Sequence, residues 1–273
     1  MKKKLDKKIL LHLKKIIKFN KLRVLKMCLE FGGHISSSFS TAEIITYLYS
    51  MNIINKKKLN QFILSKGHGE VYYYSLLAML KYFPEKWLFS NYRTKICDLG
   101  GHTSHKINGI EFSAGSLGHG LSYASGLSYA HKLKKKNTKT FCLLGDAELN
   151  EGSIWEAVIF SAKRELNNLI ALVDNNKIGS SDFTKNYISE KCLAKSWHSL
   201  GWEVYVCDGH SFQDINKYIY KILNSKIKKP KVLILDTTKG SGVSFIENDP
   251  IWHVKGIDKK MYEEAVKEIE KRY

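Results

Sequence analysis

Apolar runs alternate with amphipathic stretches throughout the second half of the chain. Four apolar runs predict strands, at 140–144, 169–173, 202–207 and 231–237. Helical patterns alternate with them, at 152–166, 189–200, 211–225 and 258–271. Strands that alternate with helices form parallel sheets with right-handed crossovers. The pattern therefore predicts an α/β fold with a doubly wound, mostly parallel sheet flanked by helices.

The first half of the chain reads mainly as helices. Apolar spacings of three and four predict one or two helices over 5–30, and further helices at 41–49, 71–81 and 117–134. Ser40 and Glu43 have the spacing of a capping box for the helix at 41–49. Small residues on one face of the helix at 117–134 predict a very close packing partner, at Gly120, Ala124 and Gly126. We expect one domain over 1–273, with a helical N-terminal extension at about 1–31.

Composition narrows the possible partners and compartments. The net charge of +18 comes from lysines spread along the chain and not from a patch interleaved with aromatic residues, so we expect no nucleic-acid partner. An acidic partner or phosphorylated substrates would suit this charge. No apolar run approaches the roughly 20 residues of a membrane span, so no membrane association is expected. The five cysteines are far apart, which indicates reduced thiols and a cytoplasmic location.

Oxygen ligands follow two successive predicted strands. Asp146 lies just past the end of the strand at 140–144, and Asn176 lies just past the next strand, thirty positions later. Ligands of parallel α/β sheets bind at the carboxyl ends of strands, and Mg²⁺ prefers oxygen ligands. Taken singly, Asp146 could cap the next helix and Asn176 could form a turn. Together they predict a metal site, with the carbonyl of Ile178 as a third ligand.

Further motifs, in this order, resemble those of transketolases, which are thiamine diphosphate (ThDP) enzymes. They are GGHISSSFSTAE (32–43), FILSKGHGEVYYYSLLA (62–78), GGH (100–102), GSLGHGLSYASGLSYA (115–130), GDAELNEGSIWEA (145–157), DNNKI (174–178) and TTKGSGVSFIENDPIWHVK (237–255). The resemblance covers nearly the whole chain. It implies the ThDP-binding fold of the domain that holds the diphosphate.

The resemblance assigns roles to the residues of these motifs. Mg²⁺, for which Ca²⁺ or Mn²⁺ can substitute, would bind Asp146, Asn176 and the Ile178 carbonyl. The residues along ThDP would be Ser37, Lys66, Gly115, Ser116, Leu117, Gly145, Asp146, Ala147, Asn176 and Lys239. Lys66 and Lys239 match lysines that some transketolases direct at the diphosphate, but they could equally be ordinary surface lysines. Ala147 departs from the usual glycine, which is tolerated if its φ is negative.

Catalytic roles are implied for four histidines and one glutamate. His34, His68, His102 and His253 would line the funnel to the cofactor, where imidazoles bind sugar hydroxyls and move protons. His119 is a neighbour of this group. Glu151 matches the family glutamate that faces the partner protomer.

No sequence here resembles the second transketolase domain, which supplies an activating glutamate. The chain therefore looks like the N-terminal subunit of a split transketolase that moves a two-carbon ketol unit between sugars or sugar phosphates. It would act only with a C-terminal subunit, as an α2β2 heterotetramer. Two alternatives remain: a subunit of a ThDP carboligase of secondary metabolism or branched-sugar synthesis, and an inactive scaffold subunit.

Overall fold

The protein is described by a computed structural model that covers residues 4–57, 59–94, 98–180, 182–184 and 190–273. Five strands form one sheet in the order β1-β2-β3-β5-β4, and every pairing in it is parallel. The strands are β1 Gln61–Leu64, β2 Thr140–Gly145, β3 Leu169–Asn175, β4 Glu203–Asp208 and β5 Lys231–Asp236. The predicted parallel α/β sheet is confirmed. The sequence prediction missed β1, which has only four residues.

Ten helices surround this sheet in the described ranges. They are α1 Lys7–Phe31, α2 Ile35–Ser40, α3 Ala42–Ser50, α4 Glu70–Met79, α5 Glu85–Asn91, α6 His119–Leu133, α7 Gly152–Lys163, α8 Glu190–Ser199, α9 Phe212–Asn224 and α10 Lys259–Arg272. The stretch predicted as one or two helices before Gly32 is a single helix, α1, and the short helices α2 and α5 were not predicted. None of the described helices is long and apolar enough to cross a membrane.

The sheet is covered by helices on both faces because its side chains alternate between two cores. Phe141 and Leu143 of β2 pack into a cluster that includes residues of α1, α3, α4 and α9. Cys142 and Leu144 of the same strand pack into a second cluster with residues of α6, α7 and α8. Because alternate side chains of β2 are buried on opposite faces of the sheet, both faces require a cover of helices.

Capping explains several helix starts, but the predicted capping box is wrong. Asp6 and Asp258 cap α1 and α10 by accepting hydrogen bonds from backbone N–H groups three residues on. Helix α3, in contrast, begins after Thr41 and has no side-chain cap. Ser40 instead ends α2, and its hydroxyl donates to Asp174 at 2.7 Å. Both residues of the predicted box therefore bind polar partners elsewhere in the fold, since Glu43 accepts from Tyr273.

Helix α6 lies close to the sheet at one of the three small residues predicted to allow this. A Cβ on Gly120 would stand 2.8 Å from Cα of Ser65, just after β1. Ala124 is buried. Gly126 is exposed, and a Cβ there would meet nothing within 4 Å, so its predicted packing role is wrong.

Candidate active site

The two predicted metal ligands lie side by side at the carboxyl edge of the sheet. Asp146 directly follows β2 and Asn176 directly follows β3, and these strands are neighbours with Gly145 paired to Asp174. Both side chains, together with Ile178, line one cavity of about 520 Å³. Adjacent parallel strands therefore bring together two oxygen ligands that are thirty residues apart in the sequence.

Asp146 is a buried carboxyl group held by backbone donors. Its Oδ1 accepts from the N–H of Ala147 at 2.8 Å, and its Oδ2 accepts from the N–H of Lys177. Burial, and after it the nearby carboxylate of Asp174, raises the pKa of Asp146 to about 7. A cation bound here would oppose this shift, because its charge favours the ionised carboxylate.

Asp174 fixes the orientation of Asn176. The Nδ2 of Asn176 donates to Asp174 Oδ2 at 2.7 Å, and its Oδ1 accepts from the N–H of Ile178 at 3.1 Å. The side-chain oxygen is consequently turned away from Asp174, and it keeps a second lone pair for a cation.

Asp174 itself is the centre of a fully buried polar cluster, a role that the sequence analysis did not assign. Its carboxylate accepts from the hydroxyls of Ser40 and Thr237 and from the ammonium of Lys66. Burial alone would raise the pKa of Asp174, but the Lys66 charge and the hydrogen bonds from Lys66, Thr237 and Ser40 together outweigh burial and hold this pKa below its usual value. The only sequence signal was an acidic residue at the end of an apolar run, where a buried carboxylate requires a partner.

Lys66 is engaged by this cluster and is not among the residues that line the cavity. Besides Asp174, its Nζ donates to the carbonyl of Ser37 at 3.1 Å. The possibility that Lys66 is an ordinary surface lysine is wrong, because its side chain is fully buried. Its predicted contact with the diphosphate remains a prediction, and in this structure its charge is balanced by Asp174.

Lys239 is also buried, and it contacts three residues that line the cavity. Its Nζ donates to the carbonyl of Gly179 at 2.7 Å, to that of Ile178 at 3.3 Å and to Nδ1 of His253 at 3.0 Å. Burial lowers the pKa of Lys239 to about 8. The carbonyl predicted as the third metal ligand is therefore shared with a lysine ammonium.

The residues predicted to lie along the cofactor divide into two groups. Gly115, Leu117, Gly145 and Ala147 line the cavity with Asp146 and Asn176. Ser37, Lys66, Ser116 and Lys239 are not among the lining residues. Ser116 is exposed, whereas Ser37 is buried and its hydroxyl has no hydrogen-bond partner among the described residues.

Ala147 occupies a conformation that suits any L-residue. It begins a short 3-10 turn, Ala147–Asn150, and it is not among the residues with positive φ. The replacement of glycine at this position therefore adds one methyl group without backbone strain.

The four predicted histidines lie close together in this cavity. The ring centroid of His34 lies 5.7 Å from those of His102 and His253, and 6.1 Å from that of His68. His68 and His253 are 5.2 Å apart. All four line the cavity that Asp146 and Asn176 share. His119 begins α6 and is exposed, and it is not a lining residue.

Three of these imidazoles are neutral near pH 7. Burial, followed by the charge of Lys66, lowers the pKa of His68 well below its usual value. Burial and the adjacent Lys239 lower the pKa of His253 to about 3, and burial lowers that of His102. Neutral imidazoles can both donate and accept hydrogen bonds, which suits the binding of hydroxyl groups.

Glu151 and Glu148 have different positions although they are three residues apart. Glu151 is exposed at the start of α7, outside the cavity. Glu148, which the sequence analysis did not single out, lines the cavity and is buried. Its carboxylate accepts from Ser65 and from the N–H groups of Gly118 and Gly145, so it joins the loop before α6 to the end of β2.

Comparison with known proteins identifies the family. Residues 16–273 match the family described as "Transketolase, thiamine diphosphate binding domain". The chain is 40% identical over 242 residues to the A subunit of apulose-4-phosphate transketolase from Actinobacillus succinogenes, covering 86% of this chain and 87% of that protein. A protein of the same name from Phocaeicola vulgatus is 36% identical, with 88% and 87% of the two chains covered.

Full-length transketolases match over part of their length. Human transketolase is 34% identical over 245 residues, which cover 87% of this chain and 38% of the human protein. The crystal structure of Campylobacter jejuni transketolase superposes with a TM-score of 0.87 at 24% identity, over 97% of this chain and 43% of that one. The chain therefore belongs to the transketolase family, of which it comprises the thiamine diphosphate-binding domain.

Proposed function

We propose that this chain is the N-terminal subunit of a two-subunit, ThDP-dependent transketolase. The observation that carries the proposal is the single cavity that Asp146 and Asn176 line together with four histidines. This cavity offers hard oxygen ligands for a metal and neutral imidazoles for hydroxyl groups. A ketol transferase that acts on sugars or sugar phosphates requires both.

The residues present fit Mg²⁺ and a diphosphate. The Asp146 carboxylate and the Asn176 amide oxygen would bind the metal, with the Ile178 carbonyl as a third ligand. The backbone at Gly115, Leu117 and Gly145 borders the same cavity, and the buried Ser37 hydroxyl lacks a partner among the described residues. When bound, ThDP supplies a nucleophilic carbon that cleaves the carbon–carbon bond next to a ketone.

The chain's own residues would bind and orient the substrate. His68, His102 and His253 are neutral. They would therefore accept hydrogen bonds from substrate hydroxyls or donate to them, and no imidazolium charge would have to be neutralised. Lys239 donates to Nδ1 of His253, which leaves the proton of that ring on Nε2. His253 would therefore donate to a substrate oxygen.

The proposed enzyme also requires a partner subunit. The relatives from A. succinogenes and P. vulgatus are named as the A subunits of their enzymes, and each is covered over 87% of its length. We infer a C-terminal transketolase-like subunit that supplies the activating glutamate, and an α2β2 heterotetramer. The four cysteines in the described ranges are free thiols, consistent with a cytoplasmic location, and Cys97 lies outside those ranges.

Reconstitution tests this function. We expect the purified chain alone to show no ketol transfer from a ketose phosphate to an aldose phosphate. Addition of the partner subunit, ThDP and Mg²⁺ should start turnover, and EDTA should stop it. Robust turnover by the single chain, or none by the complex with any ketose donor, would contradict the proposal.

A further inference from the structure

Two buried polar atoms beside the histidine cluster have each other as their only available partner among the described residues. Nδ1 of His34 lies 3.5 Å from Oε2 of Glu70, and neither atom has another hydrogen-bond partner in the described ranges. A buried polar atom without a partner costs about 1–3 kcal/mol. A slight approach of the ring to the carboxylate would satisfy both atoms at once.

Glu70 is held in place next to His34. It lies in the first turn of α4, its side chain is fully buried, and the hydroxyl of Tyr92 donates to its Oε1 at 3.0 Å. Gly33 has a φ of +149°, and a Cβ on it would stand 2.8 Å from the Tyr92 hydroxyl oxygen. The glycine before His34 therefore makes room for the tyrosine that fixes the carboxylate.

His253 has the opposite environment. Its Nδ1 faces the ammonium of Lys239 at 3.0 Å, and an ammonium can only donate. The Nδ1 of His34 faces a carboxylate, which can only accept when ionised. The two rings are 5.7 Å apart between centroids and line the same cavity.

We infer that Glu70 is a positioning residue that holds His34 in the tautomer with the proton on Nδ1. This leaves Nε2 of His34 as a proton acceptor at the cavity, whereas Lys239 makes the Nε2–H of His253 a donor. The second ring nitrogen of a histidine sets its tautomer in this way.

The two tautomers favour a particular class of substrate, and this consequence rests on the proposed function. One acceptor and one donor, on rings 5.7 Å apart, suit two hydroxyl-bearing carbons of a polyol chain. His34 would accept the proton of one hydroxyl, and His253 would donate to the oxygen of the other. A substrate without adjacent hydroxyls, such as a simple 2-oxo acid, would leave His34 without a donor.

Nitrogen-15 NMR of the full chain tests the tautomers without any activity. His34→Gln assigns the His34 signals by their disappearance. In the wild-type chain near neutral pH we expect an unprotonated Nε2 signal for His34, and its loss or strong reduction in Glu70→Gln. Glu43→Gln is the matched control, because Glu43 is also a buried glutamate paired with a histidine, His210, at 3.1 Å but away from this cavity. It should leave the His34 signals unchanged.

Turnover in the reconstituted complex gives a second measurement. Glu70→Gln should lower turnover roughly tenfold or more, as expected for impaired proton transfer, with ThDP affinity unchanged. Tyr92→Phe, which removes one hydrogen bond but keeps the carboxylate, should retain the His34 tautomer.

Two results would overturn the inference. One is an Nε2–H tautomer of His34 in the wild-type chain, and the other is a His34 spectrum that Glu70→Gln and Glu43→Gln affect equally. If the wild-type complex transfers no ketol unit while the tautomer result holds, the proposed function fails and the positioning role of Glu70 stands.

Discussion

At the scale of single residues, the proposed metal site depends on side chains that have different roles. Asp146 and Asn176 line the cavity, whereas Asp174 is not a lining residue and orients Asn176. The sequence spacing identified the first two. It did not identify Asp174 as their support, because only the fold shows that Ser40, Lys66 and Thr237 reach the same carboxylate.

Removal of either oxygen ligand should abolish metal-dependent cofactor binding. We expect Asp146→Ala and Asn176→Ala to weaken ThDP binding in the presence of Mg²⁺ on the order of 10²-fold or more, with circular dichroism unchanged. Asp208→Ala is the control, since Asp208 also ends a strand at this edge but does not line the cavity. Calorimetry on the three variants measures the difference, and wild-type affinity in Asp146→Ala would disprove the metal assignment.

The histidines should affect turnover without affecting cofactor binding. In the reconstituted complex, His68→Ala and His102→Ala should lower turnover on the order of 10²-fold or more, with ThDP affinity within a few-fold of wild type. His34→Ala and His253→Ala should show smaller losses. His198→Ala, on the exposed face of α8, is the control. Steady-state kinetics with a ketose donor checks this, and unchanged turnover in all four variants would refute the sugar-processing role.

At the scale of secondary-structure elements, the contact between α6 and the residues after β1 sets the position of the loop that lines the cavity. Gly120 allows this contact because a methyl group there would overlap Ser65. The prediction of close packing along α6 was confirmed for Gly120 and wrong for Gly126. Periodicity places both residues on a helix, but it cannot show which one the sheet approaches.

Alanine at these two glycines should change stability in opposite directions. Gly120→Ala should lower the free energy of unfolding by about 1–3 kcal/mol, because Ser65 must move. Gly126→Ala should raise it by up to about 1 kcal/mol in the isolated chain, since alanine favours the helix and meets nothing within 4 Å. Urea titration of both variants gives the values. A destabilised Gly126→Ala would show that this face of α6 is less open than described.

At the scale of the whole molecule, the parallel sheet and the meeting of four histidines with two oxygen ligands could be predicted from the sequence. The alternation of strands and helices determines the sheet edge at which the two oxygen ligands gather, whereas the resemblance to transketolases predicted that the four histidines join them. Glu70 and Glu148 could not be assigned in this way, because their roles depend on contacts across the fold, with His34 in one case and Gly118 in the other. The short β1 was missed because four residues give too little periodicity.

The stability of the cofactor-free chain should fall as the pH rises through the range in which Asp146 titrates. The pKa of Asp146 is about 7 in the folded chain against 3.8 in a model peptide, so the unfolded chain releases this proton first. The resulting decrease in the free energy of unfolding is absent below about pH 4 and grows up to about pH 7. Above that pH it is complete, on the order of a few kcal/mol. Asp146→Asn removes it.

The readout is the difference in free energy of unfolding between Asp146→Asn and wild type, measured at pH 5 and at pH 8. The difference should shift in favour of the variant at the higher pH, whatever constant offset arises from the lost backbone hydrogen bond. Mg²⁺ with ThDP should restore the stability of the wild type alone. A difference that is the same at both pH values would contradict the assigned titration.

The buried pair of Lys66 and Asp174 also limits which substitutions this site can accept during evolution. Loss of either charge alone leaves the other uncompensated in the core, which costs about 3–5 kcal/mol. The pair ties together chain segments around residues 40, 66, 174 and 237. A lineage can therefore abandon it only by changing both residues nearly together, so the pair is inherited as a unit even where substrate preference diverges.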